Sequence, residues 1–277
     1  MSCEGCPSQG NCGKDQSTCG VQINPDNKIK NIITIMSGKG GVGKSTVTVM
    51  LAKALCQLGL KVGIMDADIT GPSIPRLLQL NNEHAYGNEK QQLLPVESKE
   101  GIKVMSLNFL VASESDPVIW RGPVIGGVVK QFYTDVVWGE LDVLLIDMPP
   151  GTGDVALTIM QSIPVNGVVM VSTPQPMVSM IVEKACHMCE KMNVKVLGII
   201  ENMAYLECPN CHERIDFYKQ EDVEALCNST AIQLYGTLPM LDLIRDINEY
   251  ETYSKDQKDK VDAYMVDIAK KVLVDLA

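Results

Sequence analysis

The sequence has no run of about 18 apolar residues, so no segment reads as a membrane-spanning helix. Its first 20 residues hold Cys, Gly, Ser and Asn without the apolar stretch of a secretory signal, and the expectation is a cytoplasmic protein. Excess positive charge is also missing. The 24 Lys and Arg against 34 Asp and Glu leave a net charge of -10, which repels polyphosphate backbones and argues against nucleic acid as a partner. No repeat of about 20 to 50 residues is visible, which excludes a solenoid, and no low-complexity linker divides the chain.

What is present is an ordinary globular mixture, 45% hydrophobic and 21% charged, in 277 residues, enough to bury one sizeable core. Cysteine is the exception. Ten are many for a reducing compartment, where disulfides are rare and clustered thiols more often bind metal or do redox work. Cys3, Cys6, Cys12 and Cys19 crowd the first 20 residues, Cys186 pairs with Cys189, Cys208 pairs with Cys211, and Cys56 and Cys227 stand alone in apolar surroundings.

Residues 1–28 are small and polar without helical or strand periodicity, and read as a flexible arm that only a bound metal would order. Residues 29–277 read as one domain. Ile32-Ile33-Thr34-Ile35-Met36 predicts a strand closed by a glycine loop, and Val49, Leu51, Leu55 and Leu58 predict a helix over residues 46–58. Similar apolar runs return at 62–65, 102–107, 143–146, 168–171 and 194–200. Runs that are apolar throughout suit strands covered on both faces, so the fold class is α/β, a doubly wound and mainly parallel sheet. In residues 261–276 one helical face is apolar, but Asp262, Asp267 and Asp275 outnumber Lys270 and Lys271. That charge suits a helix docked on its own core, not a membrane-surface helix.

Gly38-Lys39-Gly40-Gly41-Val42-Gly43-Lys44-Ser45 satisfies the P-loop pattern. Its glycines let the backbone aim N–H groups at phosphate oxygens, with Thr46 opening the helix behind them. Lys44 reaches the terminal phosphates and the Ser45 hydroxyl is a magnesium ligand. Asp147 closes the run 143–146, at the strand end where open α/β sheets hold their ligands, and is expected to support magnesium.

Lys39, an extra lysine at the start of the loop, resembles the signature of the deviant Walker A proteins, among them MinD, ParA, nitrogenase iron protein and the Mrp/ApbC iron-sulfur carriers. The resemblance to the Mrp/ApbC group spans residues 28–245 and implies a P-loop NTPase of the SIMIBI, MinD-like type. It further implies that Lys39 reaches the nucleotide of a partner subunit in a homodimer. Met65-Asp66-Ala67-Asp68 is similar to the family's Asp-x-Asp switch, which makes Asp68 the residue that positions the attacking water and Asp66 a supporter of magnesium. Asp147-Met148-Pro149-Pro150-Gly151-Thr152-Gly153-Asp154 looks like the family's γ-phosphate-sensing loop, and Asn202 stands where relatives contact adenine through an amide. For each of these the plain alternatives are a solvated lysine, strand-end acids and a turn-forming amide. One departure is local. Leu238-Pro239 and Ile244-Arg245 follow the family outline, but Asn248-Glu249-Tyr250-Glu251 replaces the usual Gly-x-Pro.

Cys208-Pro209-Asn210-Cys211, in an insertion near residues 206–214, brings two sulfurs to one metal from a tight turn, half of a tetrahedral set. In a symmetric dimer the same pair from a second copy completes four ligands, suited to one bridging 4Fe-4S cluster. The spacing and place resemble the Cys-Pro-x-Cys of the Mrp/ApbC carriers. Followed by His212, the pair also resembles half of a zinc ribbon, so zinc is the competing occupant. Cys3, Cys6 and Cys12 resemble the amino-terminal cluster motif of the eukaryotic cytosolic scaffold ATPases, whose fourth cysteine lies upstream. Cys19 is the candidate replacement here, in a second site for a cluster or zinc. Cys186 and Cys189 fall in the helical stretch 182–192 and read, with Cys56 and Cys227, as buried small hydrophobes.

The expected function is an ATP-dependent carrier or scaffold that takes ATP, Mg2+ and a 4Fe-4S cluster, and passes the cluster to apo iron-sulfur proteins. The alternatives are an electron-transfer ATPase resembling nitrogenase iron protein, whose ligand cysteines are singly spaced, and a MinD/ParA-like positioning ATPase with a structural zinc.

Overall fold

Lys28–Ser37 form strand β1, and the six residues at its carboxyl end are all buried because apolar side chains leave both faces of the backbone. The computed structural model describes residues 23–69, 71–90, 92–111, 122–208, 210, 211, 213–216, 227, 232–240 and 255–276. After β1 come α1 (Lys44–Gln57), β2 (Val62–Asp66), α2 (Ile74–Leu77), β3 (Val96–Glu97) and β4 (Lys103–Met105). The chain continues through α3 (Gly122–Thr134), β5 (Glu140–Asp147), α4 (Asp154–Ser162), β6 (Gly167–Ser172), α5 (Pro176–Lys191) and β7 (Val196–Glu201). It ends with β8 (Tyr205–Glu207), β9 (Arg214–Asp216), β10 (Gln233–Thr237) and α6 (Lys255–Leu276).

Among the described residues the main sheet has eight strands in the order β10-β7-β6-β1-β5-β2-β4-β3. Every neighbouring pair is parallel except β3 and β4. The chain first winds outward from β1 to β2 and β4, returns to insert β5 between β1 and β2, then crosses to β6, β7 and β10. The loop after β1 therefore opens at the switch in winding direction, where the carboxyl ends of the strands leave a crevice.

Period-two alternation divides the buried side chains between two layers. Ile33, Ile35, Val143, Leu145, Val169 and Val171 face α1 and α6, whereas Ile32, Met36, Leu144, Ile146, Val168 and Met170 face α3, α4 and α5. Helix α1 is buried nearly all round because the sheet covers one side and α6 the other. The α6 residues Val261, Met265, Ile268, Ala269 and Val272 are all buried, which docks the last helix on its own core as its acidic charge implied. Each large apolar side chain fully buried in this way contributes about 1.5–3 kcal/mol. Among the described residues no helix is long and apolar enough to cross a membrane.

Most of the expected strands are present, with corrections where polar contacts rather than apolar runs decide. The run 102–107 is a strand only over Lys103–Met105, since Leu107 opens a 3-10 turn. Residues 23–28, assigned to the arm, belong to the fold. Asn24 and Asn27 are buried, the Asn24 N–H donates to the Thr134 carbonyl at 3.0 Å, and the Asn27 amide donates to the Val136 carbonyl at 2.8 Å. Polar side chains and backbone groups paired in this way leave no apolar pattern to read. Strands β3, β8, β9 and β10 are short or polar and carry no such pattern either. Cys3, Cys6, Cys12 and Cys19 lie outside the described residues.

Gly198 in β7 has no side chain because the ring of Tyr235 in β10 occupies the space: an added Cβ meets the Tyr235 Cε2 at 2.5 Å. Gly198→Ala is expected to destabilise the fold by about 1–3 kcal/mol, read as a lower midpoint in urea unfolding with an unchanged slope. An unchanged midpoint would count against this packing.

Candidate functional site

The loop 38–43 turns out of β1 through two left-handed glycines, Gly41 at φ 80 and Gly43 at φ 78, a conformation that β-carbons resist. It delivers Lys44 and Ser45 to the first turn of α1, where free N–H groups and the helix dipole favour an anion. Gly43 is constrained twice. A Cβ there meets the Asn202 side-chain nitrogen at 2.3 Å.

The strand register gathers acids beneath the loop. Parallel pairing puts Asp147 at the end of β5 beside Ile35 of β1 on one side and beside Asp66 of β2 on the other. Asp147 is fully buried and its Oδ2 receives the Lys44 ammonium at 2.7 Å and the Ser45 hydroxyl at 2.6 Å. The Thr48 hydroxyl lies 2.8 Å from the other oxygen. Asp66 is nearly as deep, with Oδ2 accepting from the Ser106 hydroxyl at 3.1 Å and Oδ1 accepting from the Asp68 N–H at 3.2 Å. Burial first, and then the neighbouring Asp147 carboxylate, push the Asp66 carboxyl up to about 8 against the opposing pull of Lys44. These carboxylate and hydroxyl oxygens are the hard donors that magnesium takes, and Lys44 neutralises the pocket without it.

Two recesses adjoin the loop and share Gly40 and Gly41. One, of about 240 Å³, is lined by Ser37, Lys44, Ser45, Thr46 and Asp68, with Leu77 and Pro150 as its apolar walls. The other, of about 410 Å³, lies between Lys39, Val42, Thr173, Pro174, Met203 and Met240, and has the apolar walls and sparse polar groups of a nucleoside site. Lys39 is exposed, and its ammonium donates to the side-chain oxygen of Gln175, which lines the same recess, at 3.1 Å. Asn202 is wholly buried under the loop, with its amide nitrogen donating to the Val42 carbonyl at 3.0 Å and its oxygen unpartnered. The Thr173 hydroxyl is buried and unpartnered as well. In the proline-rich loop, Gly151 bonds back to the Ser37 carbonyl at 2.9 Å, Pro150 lines the phosphate recess, and Asp154 opens α4, where its charge favours the helix N-terminus.

Cys208 and Cys211 occupy the turn between β8 and β9, a small antiparallel pair outside the main sheet. Cys208 is half-buried and Cys211 exposed. The N–H groups of Cys211 and Asn210, with the Cys211 thiol, hold the Cys208 thiol below its ordinary value, which favours the thiolate that binds metal. Among the described residues no third Cys, His, Asp or Glu joins the pair into a metal-holding group. Cys186 and Cys189 are buried in the core, where loss of solvent pushes them up to about 11 and about 12, a setting for inert thiols.

The fold thus brings Lys39, Gly40, Gly41, Val42, Gly43, Lys44, Ser45, Thr46, Asp66, Asp68, Asp147, Asn202 and Pro150 together, with Gly38 joining β1 to the loop and Gly151 tied to Ser37, while Pro149, Thr152, Gly153 and Asp154 continue the chain toward α4. Sequence reasoning did not identify Thr48, Ser106, Thr173, Gln175, Met203 or Met240. Thr48 and Ser106 carried a faint signal, a hydroxyl inside an otherwise apolar helix face and one at a strand end; the recess walls carried none.

The family model described as ParA, NUBPL iron-transfer P-loop NTPase, matches residues 28–273. An iron-sulfur cluster carrier protein of Clostridium perfringens is 47% identical over 256 residues, covering 87% of this chain and 90% of its own. A nucleotide-binding protein of Archaeoglobus fulgidus, solved in complex with ADP and with cobalt found in it, is 42% identical, with a TM-score of 0.68 over 86% of this chain and 88% of its own. MinD of Aquifex aeolicus, in its complex with MinC, shares the fold at 20% identity, with a TM-score of 0.62 over 88% of this chain and 96% of its own.

The crowded loop and the shifted carboxyl generate two expectations. Gly43→Ala is expected to abolish ADP binding in calorimetry while the protein remains folded by circular dichroism; retained affinity would refute the role given to the Asn202 contact. Asp66 keeps its proton in the folded, nucleotide-free chain up to about 8, whereas the unfolded carboxyl releases it near 3.8. Stability therefore falls as pH rises across that window. Asp66→Asn, with no proton to lose, should raise the melting temperature in EDTA more at about pH 8 than at about pH 5, and equal gains would contradict the shift.

Proposed function

Because the chain belongs to the ParA family of NUBPL-type iron-transfer P-loop NTPases, we propose that it is an ATP-dependent carrier that holds a 4Fe-4S cluster across a homodimer and passes it to apo iron-sulfur proteins in the cytoplasm. The observation that carries this reading is the Cys208–Cys211 turn. It presents two thiols, one of them acidified by backbone N–H groups, and it leaves β7 at the same carboxyl edge as the P-loop. Two thiols are half of a cluster's requirement, and a second copy supplies the rest.

The chain's own residues suggest how nucleotide is handled. Phosphates arriving on the loop N–H groups compete with Asp147 for the Lys44 ammonium, which now sits 2.7 Å from that carboxylate. Asp147, Ser45, Asp66 and Thr48 would then hold Mg2+, whose charge offsets that building on the phosphates. Asp68, beside the phosphate recess, orients the attacking water. Lys39 exchanges Gln175 for the nucleotide of the partner copy. The loop from Pro149 to Asp154, which touches both the P-loop strand and the phosphate recess, senses the terminal phosphate. ATP hydrolysis is thereby coupled to release of the cluster.

Cys208→Ser and Cys211→Ser, each in the full chain reconstituted without oxygen, are expected to lose about two irons per chain, the half share of one bridging cluster, while ADP affinity compared between the metal-free proteins is unchanged. Iron content equal to wild type, or zinc as the only metal retained by the wild-type pair, would overturn the proposal.

A further inference from the structure

The apolar wall of the nucleoside recess includes, besides Val42 and Pro174, two methionines, Met203 and Met240, that are far apart in sequence and attached to the same residue. Met203 reaches Tyr205 along the chain, two residues on, and Met240 reaches it by donating its N–H to the Tyr205 carbonyl at 2.6 Å. Tyr205 is the first residue of β8, the strand that runs into Cys208. Further bonds close this path into a ribbon: Ala204 N–H to the Leu238 carbonyl at 2.9 Å and Leu238 N–H to the Glu201 carbonyl at 2.7 Å. On the other side, Asn202 ties the ribbon to the P-loop through Val42. Met203 holds a left-handed backbone, φ 54, which a side chain resists, at the point where the chain turns from the recess toward the cysteines.

We propose that Met203 and Met240 are positioning residues through which the nucleoside half of a bound nucleotide sets the conformation of the Cys208–Cys211 turn. A base seated in the recess packs on both thioethers and so fixes both attachments of Tyr205. A phosphate chain without a base occupies only the polar recess on the far side of Gly40 and Gly41 and touches neither. ADP and ATP then present the same cysteine geometry, and the terminal phosphate governs the approach of the second copy instead. Linkage makes the effect reciprocal: whatever factor ADP adds to ligand binding at the cysteines, a ligand there adds to ADP binding. The inference rests on the carrier reading for its purpose, but its test reads bare thiols and needs no metal.

The full-length reduced protein is treated with iodoacetamide, and alkylation of Cys208 and Cys211 is followed by peptide mass spectrometry in nucleotide-free form, with saturating ADP, and with saturating tripolyphosphate. ADP is expected to slow Cys208 alkylation about fivefold, and tripolyphosphate to leave it unchanged. Met240→Ala, an exposed position that tolerates truncation, should lose most of the ADP effect at ADP concentrations shown by calorimetry to saturate it. Met203→Gly, whose backbone accepts the left-handed turn, should lose it too. Equal protection by tripolyphosphate, no protection by ADP, or full protection retained in both variants would overturn the proposal. A failure to bind iron at the same cysteines would sink the carrier reading alone.

Discussion

The buried ion pair between Lys44 and Asp147 is the constraint around which the molecule is arranged. It joins the first turn of α1 to the end of β5 at 2.7 Å, with 7% and 0% of the two side chains exposed. A charge this deep is tolerable only when paired, and the pair is held in place by Ser45 and Thr48 on the same carboxylate. Because β5 lies between β1 and β2, the pairing that serves Asp147 also sets Asp66 beside it, and with Lys44 committed to Asp147 the second buried carboxyl holds its proton up to about 8.

The same topology explains why the cysteines are within reach of the nucleotide. Strand β7 ends at the crevice, and its continuation passes under the P-loop as Asn202, along the larger recess as Met203, and out into β8 and the turn of Cys208 and Cys211. Helix α6 braces that exit from the side: Lys260 pairs with Glu207 of β8, while Gln57 of α1 bonds to Asp262 at 2.8 Å. The helix behind the phosphate loop and the strand in front of the cysteines thus share a support, so a rearrangement at either end is felt by a packed element rather than by a loose loop.

The site also shows how one residue type takes opposite roles by placement. Cys186 and Cys189 have the same spacing as Cys208 and Cys211, yet burial on α5 raises their thiols while backbone N–H groups in the turn lower that of Cys208. Spacing alone does not distinguish the two pairs, and burial does: backbone N–H groups act on both, but only in the core does loss of solvent outweigh them.

The amino-acid order by itself determined the α/β class, the strands β1, β2, β5, β6 and β7, and the P-loop, because continuous apolar runs and a glycine-lysine pattern are local and survive without neighbours. It also marked Asp66, Asp68 and Asp147 as strand-end acids and Cys208 with Cys211 as a two-thiol clip. Only tertiary structure decided that Asp66 and Asp147 lie side by side, that Asn24 and Asn27 belong to the fold, that Ser106 and Thr48 serve the acids, and that Met203 and Met240 meet at Tyr205. Those are contacts between residues far apart in the chain, 109 positions for Asn27 and Val136 and 99 for Thr48 and Asp147. They follow from strand register and from side chains bonding to distant backbone, neither of which leaves a periodic trace along the chain.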